Sequence, residues 1–237
     1  MGINLLPVGR KYCNFDCIYC ECGRNTGHRV KDNSLPTQRE VYAALEHKLT
    51  MLQQAGQLPD AITFAGNGEP TIHPAFAGII DDTVALRNRY APHSKISVLT
   101  NATMLHRQEV GDALKKTDMP ILKLDSAFDA TIKLLNQPAK KIIASQLIEQ
   151  LRLFGKQCIV QTMFMHGKYC GKTVDNTTPA ELEAWKRAIL AIRPAQAMIY
   201  TIARDTPTET LCKISGETLR KIAAKVERQG IVARVSE

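Results

Sequence analysis

The chain has 237 residues, 44% of them hydrophobic and 23% charged, enough apolar material for one large domain with a real core. Its formal net charge of +8 and isoelectric point near 9.2 favour an anionic partner such as a nucleic acid or nucleotide, but the basic residues are scattered and form no dense patch. No apolar run approaches the roughly 20 residues that span a bilayer, and the first ten residues carry neither a secretory leader nor a myristoylation signal, since Leu6 stands where Ser or Thr is wanted. A cytoplasmic protein without membrane attachment is expected.

The first expected strand, residues 3–8, is followed by four of the seven cysteines: Cys13, Cys17, Cys20 and Cys22. Thr37-Gln-Arg-Glu40 is a capping box that opens a helix with Val41, Leu45, Leu49 and Leu52 on one face and Gly56 near its stop. A strand over 61–65 runs into Gly66-Asn67-Gly68-Glu69-Pro70. His73 is then placed to cap a helix over 75–90. Strands over 95–100, 121–125 and 158–165 alternate with helices over 107–116 and 141–154. Thr178-Pro179-Ala-Glu181 repeats the capping device and leads into Leu182, Trp185 and Ile189. A strand over 197–202, a helix over 215–229 and an extra strand over 231–235 complete the pattern.

These are six strand–helix repeats without linker, low-complexity segment or change in composition, so a single α/β domain over 1–237 is expected. Near-continuously apolar strands joined by helices read as parallel. At about 30 residues per unit the chain holds six units and hardly eight. Periodicity alone leaves two architectures open, a flat doubly wound sheet and a curved partial barrel. In either, ligands collect at the C-terminal ends of the strands, which is where the cysteine loop lies.

A cytosolic chain with an odd number of cysteines points to metal or redox chemistry rather than a disulfide framework. The spacing C-x3-C-x2-C of Cys13, Cys17 and Cys20 fits a tetrahedral ion that needs a fourth ligand, or a [4Fe–4S] cubane with one iron left open. Zinc generally takes C-x2-C pairs with a second pair further on, and no second pair exists. The bacterial ferredoxin spacing does not match either. Gly66 and Gly68 let backbone approach a ligand closely, and Glu69 adds a carboxylate able to accept from an ammonium group.

Together these segments resemble the radical S-adenosylmethionine (SAM) superfamily. The Cys13–Cys20 loop, with Tyr19 before the last cysteine, is similar to its cluster-binding loop, and Gly66-Asn67-Gly68-Glu69-Pro70 to its GGEP segment with Asn67 inserted. The longer text from Ile62 to Pro74, then Val98-Leu-Thr-Asn101 and Leu124-Asp-Ser126, resembles the branch of wyosine synthases and related Fe–S oxidoreductases. The resemblance implies a (β/α)6 partial barrel. It also implies a [4Fe–4S] cluster on Cys13, Cys17 and Cys20, SAM chelating the open iron, and one-electron cleavage to a 5′-deoxyadenosyl radical that abstracts hydrogen from a substrate. Gly68 and Glu69 would receive the SAM amino group. Asn101 and Asp125 would contact SAM or substrate, and the Tyr19 backbone and the edge of the sixth strand around Tyr200-Thr201 would meet the adenine. A reductant such as flavodoxin or ferredoxin is implied as partner.

Two departures accompany the resemblance. Related sequences carry a Gly-, Arg- and Ser-rich stretch ahead of the first strand, whereas this chain starts almost on it. The upstream cysteines that give the wyosine synthases a second cluster are absent. Cys22, Cys170 and Cys212 fall in loops at the expected active end, where they are read as bystanders. Cys158 is read as a buried hydrophobe, and His166, Lys168 and Arg204 as charges at the cavity mouth. The leading expectation is a radical SAM enzyme acting on a nucleoside in RNA. The alternatives are a glycyl-radical activase, whose substrate is a protein, and a non-enzymatic zinc or Fe–S module.

Overall fold

The computed structural model describes residues 1–25 and 35–237. The chain packs into two compact units. One comprises Met1–Cys13 and Asn25–Pro120, the other Asn14–Arg24 and Ile121–Glu237.

The first unit holds the parallel strands β1 (Gly2–Ile3), β2 (Ala61–Phe64) and β3 (Lys95–Thr100), with Ile3 opposite Phe64 and Phe64 opposite Val98. Helices α1 (Gln38–Gln54), α2 (Phe76–Tyr90) and α3 (Gln108–Lys115) connect and follow them. The Thr37–Glu40 capping box forms as expected, each side chain bonding the other's backbone N–H. Leu45 and Leu49 of α1 pack with Ile62, Leu86 and Ala91, so the apolar stripe of the helix is spent on the sheet. The first strand is shorter than the expected 3–8. Asn4 folds back on Leu6, accepting its N–H at 3.1 Å and donating to its carbonyl at 3.0 Å, and Pro7 has no N–H to continue the ladder.

Strand β4 (Met119–Lys123) crosses the boundary between the units. The second unit continues with α4 (Asp129–Asn136), α5 (Ala144–Arg152), β5 (Ile159–Met163), β6 (Met165–Tyr169), β7 (Lys172–Asp175), α6 (Pro179–Ile192), β8 (Gln196–Tyr200), β9 (Leu211–Lys213), α7 (Gly216–Glu227) and β10 (Ala233–Ser236). Strands β4, β5, β8 and β10 pair in that order, all parallel, so the extra C-terminal strand is present, shifted to Ala233–Ser236. Trp185 of α6 is buried, meets Phe164 edge-on at 5.3 Å, and donates its indole N–H to Thr162 Oγ1 at 2.8 Å.

Three features differ from the expected pattern. The apolar run 158–165 is two strands. Phe164 turns the chain, and β6 leaves to form a separate antiparallel sheet with β7 and β9 in the order β7-β6-β9. Two side chains latch that sheet: Thr201 Oγ1 donates to Phe164 O at 2.9 Å and accepts from Ile214 N–H at 2.8 Å, and Asn176 Oδ1 accepts from Met165 N–H at 2.9 Å while its Nδ2 donates to Met163 O at 2.8 Å. Helix α4 is additional. It is too short for a periodic signal and is held through buried Ile132 and Leu135. At α6, Thr178 caps Glu181 N–H, but the Glu181 carboxylate does not return the bond. It accepts instead from Ser126 Oγ at 2.7 Å and Thr131 Oγ1 at 2.5 Å, a pair of hydroxyls brought by the chain after β4.

Candidate active site

In the first unit the turn after β2 is built around Glu69, which is 2% exposed. Its Oε1 accepts from Thr71 N–H at 3.0 Å, from the Thr71 hydroxyl and from Thr100 Oγ1 at 2.6 Å. Its Oε2 accepts from Asn101 N–H at 2.6 Å. Burial pushes this carboxyl above its usual pKa, and the donors from Asn101, Thr100 and Thr71 pull part of the way back. A carboxylate has about four lone-pair sites, so the capacity that remains lies on Oε2. The turn is held from the other side by Tyr12, whose N–H bonds Asn67 O at 2.7 Å and whose carbonyl accepts Glu69 N–H at 3.0 Å. Gly68 has φ +148°, and a Cβ there would stand 1.8 Å from Tyr12 O, so only glycine fits. Asn101 is fixed by Thr103, whose N–H and hydroxyl donate to its Oδ1, and its Nδ2 lies 3.7 Å from Cys13 Sγ.

The second unit gathers Cys17, Tyr19, Lys123, Asp125, Asn136 and Tyr200. Asp125, 2% exposed, takes the Tyr19 hydroxyl and Asn136 Nδ2 (2.7 Å) on Oδ2 and Met163 N–H (3.0 Å) on Oδ1. Lys123 lies 3.6 Å from Asp125 Oδ2, donates to the Tyr200 hydroxyl at 3.2 Å, and stands 5.2 Å and 5.8 Å from the ring centres of Tyr19 and Tyr200. Burial works against its charge. Asp125, and then Tyr200, outweigh that and hold its pKa above the ordinary lysine value. Burial first, then the Asp125 carboxylate, push the Tyr19 phenol well above its usual range. The Cys17 thiol is also raised by burial, against the opposing pull of Lys123. Asn176 closes the network from behind, donating to the carbonyls of Asp125 (2.9 Å) and Met163 (2.8 Å).

The structure thus places Gly68, Glu69, Asn101 and Cys13 together in one unit, and Cys17, Tyr19, Asp125 and Tyr200 together in the other. Cys20 lies in the same turn as Cys17, donating its N–H to Cys17 O at 3.1 Å. Cys22, Cys170 and Cys212 are exposed, and Cys158 is buried as expected. His73 holds the start of α2, its Nδ1 accepting Ala75 N–H at 3.1 Å. Arg204 pairs with Glu21 at 2.8 Å, and His166 lies opposite Cys212 on the antiparallel sheet. Sequence reasoning missed Lys123, Asn136 and Asn176. For Lys123 a signal existed: Lys123 and Asp125 are two residues apart at a strand end, hence on one face.

The donor set suits an iron–sulfur cluster. None of the cysteines, all of which are described, is in a disulfide. Side-chain amides point at two of the three candidate ligands, Cys13 and Cys17, and such bonds support thiolates bound to iron. Among the described residues no three His, Cys, Asp or Glu side chains are gathered tightly enough to grip one metal ion. A cubane asks for less, one thiolate on each of three irons.

Residues 10–169 match the family model described as the radical SAM superfamily. Among curated proteins, the chain is 26% identical over 225 residues to a protein named GTPase Obg from Brachyspira hyodysenteriae, covering 93% of this chain and 30% of that one. It is 24% identical over 182 residues to a UPF0026 protein of Methanocaldococcus jannaschii, covering 75% and 54%. The chain therefore spans about half or less of these relatives. Among solved structures, a radical SAM methyltransferase from Sphaerobacter thermophilus superposes with a TM-score of 0.68 at 16% identity, over 94% of this chain and 63% of that one. At that identity the likeness shows the fold, an α/β partial barrel.

This chain belongs to the radical SAM superfamily. It is accordingly an enzyme of that class, with a [4Fe–4S] cluster and SAM as cofactors and a need for a reductant. Among the described residues no helix is long and apolar enough to cross a membrane.

Proposed function

We propose that this chain uses Cys13, Cys17 and Cys20 to hold a [4Fe–4S] cluster, cleaves SAM reductively on it, and takes hydrogen from a nucleoside within RNA. The observation that carries the first part is the C-x3-C-x2-C loop inside the segment that matches the family model. Held there, the cluster would supply one-electron reductive cleavage of SAM to methionine and the 5′-deoxyadenosyl radical that takes hydrogen from the substrate.

The chain's own residues bind and orient. Gly68 lets the turn close against the Tyr12 carbonyl and so sets the position of Glu69, which offers the acceptor capacity left on Oε2 to an ammonium group. Asn101 and Asp125 are fixed polar groups at strand ends. The Tyr19 backbone and the strand edge at Tyr200 are offered to the adenine, while the two rings flank Lys123 and limit water there. The reductant is a flavodoxin or ferredoxin, and the compartment is the cytoplasm.

The RNA half of the proposal is supported by the net charge of +8 and by the likeness to the wyosine-synthase branch. A phosphate-binding role is not part of it. Gly171-Lys172-Thr173 ends like a phosphate loop, but Gly171 lies in the turn between β6 and β7 and Lys172 and Thr173 are the first residues of β7, not a strand-to-helix turn.

Anaerobic reconstitution with iron and sulfide, followed by dithionite and SAM, tests the chemistry. Release of 5′-deoxyadenosine is expected, and a site that fills with zinc while SAM survives would overturn the proposal. Deuterium transfer into 5′-deoxyadenosine from labelled RNA supports the nucleoside. Transfer from a glycyl-radical partner protein instead identifies an activase.

A further inference from the structure

Two asparagine side chains are built onto candidate cluster ligands. We infer that the side-chain amide of Asn136 donates to the Cys17 thiolate of the cluster and thereby raises the cluster's reduction potential. The inference rests on Cys17 being a ligand.

The geometry is set before any cofactor arrives. Asn136 is the last residue of α4 and is 2% exposed. Its carbonyl accepts Asp16 N–H at 2.9 Å, and the carbonyl of Leu135 accepts Ile18 N–H at 2.9 Å. The cysteine loop is thus strapped to the end of α4 immediately before and immediately after Cys17. Between the straps, Asn136 Nδ2 lies 3.5 Å from Cys17 Sγ.

The orientation of the amide follows from its other partners. Nδ2 also faces Asp125 Oδ2 at 2.7 Å and the Tyr19 hydroxyl at 2.9 Å. A carboxylate only accepts, so the nitrogen of Asn136, not its oxygen, belongs on this side. Two amide hydrogens then serve three acceptors, and the sulfur competes best once it is a metal-bound thiolate carrying negative charge. Reduction adds a further electron, part of which resides on the sulfurs. A fixed N–H donor therefore stabilises the reduced cluster more than the oxidised one.

The other unit repeats the device. Asn101 Nδ2 stands 3.7 Å from Cys13 Sγ, and Thr103 fixes the far end of the amide through Oδ1, so that the nitrogen is the atom turned to sulfur. Asparagine suits the task because it brings a dipole without a charge that could titrate.

The test is an EPR-monitored redox titration of the reconstituted protein and of Asn136→Leu, which keeps the volume and removes the donor. The reduction equilibrium is expected to move about tenfold against the reduced cluster, or ~59 mV for one electron, with iron content unchanged. Asn101→Leu is expected to move it in the same direction and by less. Pulsed EPR on the wild-type cluster, with asparagine carrying nitrogen-15 in the side-chain amide, reads the contact itself and needs no variant. An asparagine coupling supports the inference. A wild-type cluster with no such coupling, or an Asn136→Leu potential equal to wild type with the cluster intact, overturns it. A Cys17→Ala protein that still holds a full cluster overturns the ligand assignment instead.

Discussion

The ammonium of Lys123 lies 3.6 Å from the carboxylate of Asp125, and both rise from one face at the end of β4. Asp125 is wholly enclosed and Lys123 nearly so. Removing one member strands the other, which costs far more than the intact pair contributes. Lys123→Met is therefore expected to lose about 3 kcal/mol, and adding Asp125→Asn, which removes the stranded charge and keeps an acceptor for Met163 N–H, is expected to restore part of it, as read from urea midpoints. A double variant no more stable than the single one would count against an enclosed pair. Because the pKa of Lys123 is raised on folding, its contribution is complete below the ordinary lysine value. It is lost only as pH rises through the higher folded one, so the effect is flat between about pH 6 and 9.

Glu69 follows the same sign in its own, more acidic window. Its pKa is raised on folding, so between the ordinary glutamate value and the folded one the native chain binds the extra proton. Stability then falls as pH rises through that window. Glu69→Gln removes this dependence and also sets an amide NH2 against one of four donors, at a cost of about 2 kcal/mol. The deficit of the variant is expected to be widest at the acid end and to narrow toward neutrality in denaturation curves taken from pH 4.5 to 8. A deficit independent of pH would show that Glu69 is not proton-linked to folding.

Two glycines with positive φ separate crowding from backbone strain. Gly56 has φ +66° with nothing within 4 Å, whereas at Gly68 a Cβ would meet Tyr12 O. Gly56→Ala is expected to cost about 1 kcal/mol, the left-handed penalty alone. Gly68→Ala should cost about 3 kcal/mol and weaken SAM binding, because backbone must move. Equal costs would mean that the turn yields freely.

Iron content separates ligands from neighbours among the cysteines. Cys17→Ala should lose the cluster, as followed by iron analysis and the visible spectrum, while the exposed Cys22→Ala should keep it and keep SAM cleavage. The reverse pattern would exchange their roles.

Much of this was legible because the informative signals are local. The Thr37–Glu40 box and the β-branched run 95–100 each depend on residues within a few positions of one another, and each is found where it was read. What escaped depends on distance in sequence. Asn136 matters through Cys17, 119 positions away, and nothing around Leu134-Leu135-Asn136 advertises that partner. The antiparallel sheet joins Leu211 to Gly167, so residues 158–165 read alone could only look like one long strand. Glu181 carried the right capping spacing, yet two hydroxyls of the chain after β4 claimed its carboxylate. Local pattern proposed a partner, and tertiary packing supplied a better one.

The Thr201 latch has a consequence for how such a chain can diversify. The segments Met165–Asp175 and Thr201–Lys213 stand outside the parallel strand ladder and are tied to it through the turn at Phe164, the Thr201 hydroxyl and the Asn176 side chain. With those ties and the buried Met165 and Val174 kept, the exposed residues there can be lengthened, shortened or exchanged without shifting the register of β5 against β8. The parallel core can be inherited unchanged while this small sheet is rewritten, one lineage at a time.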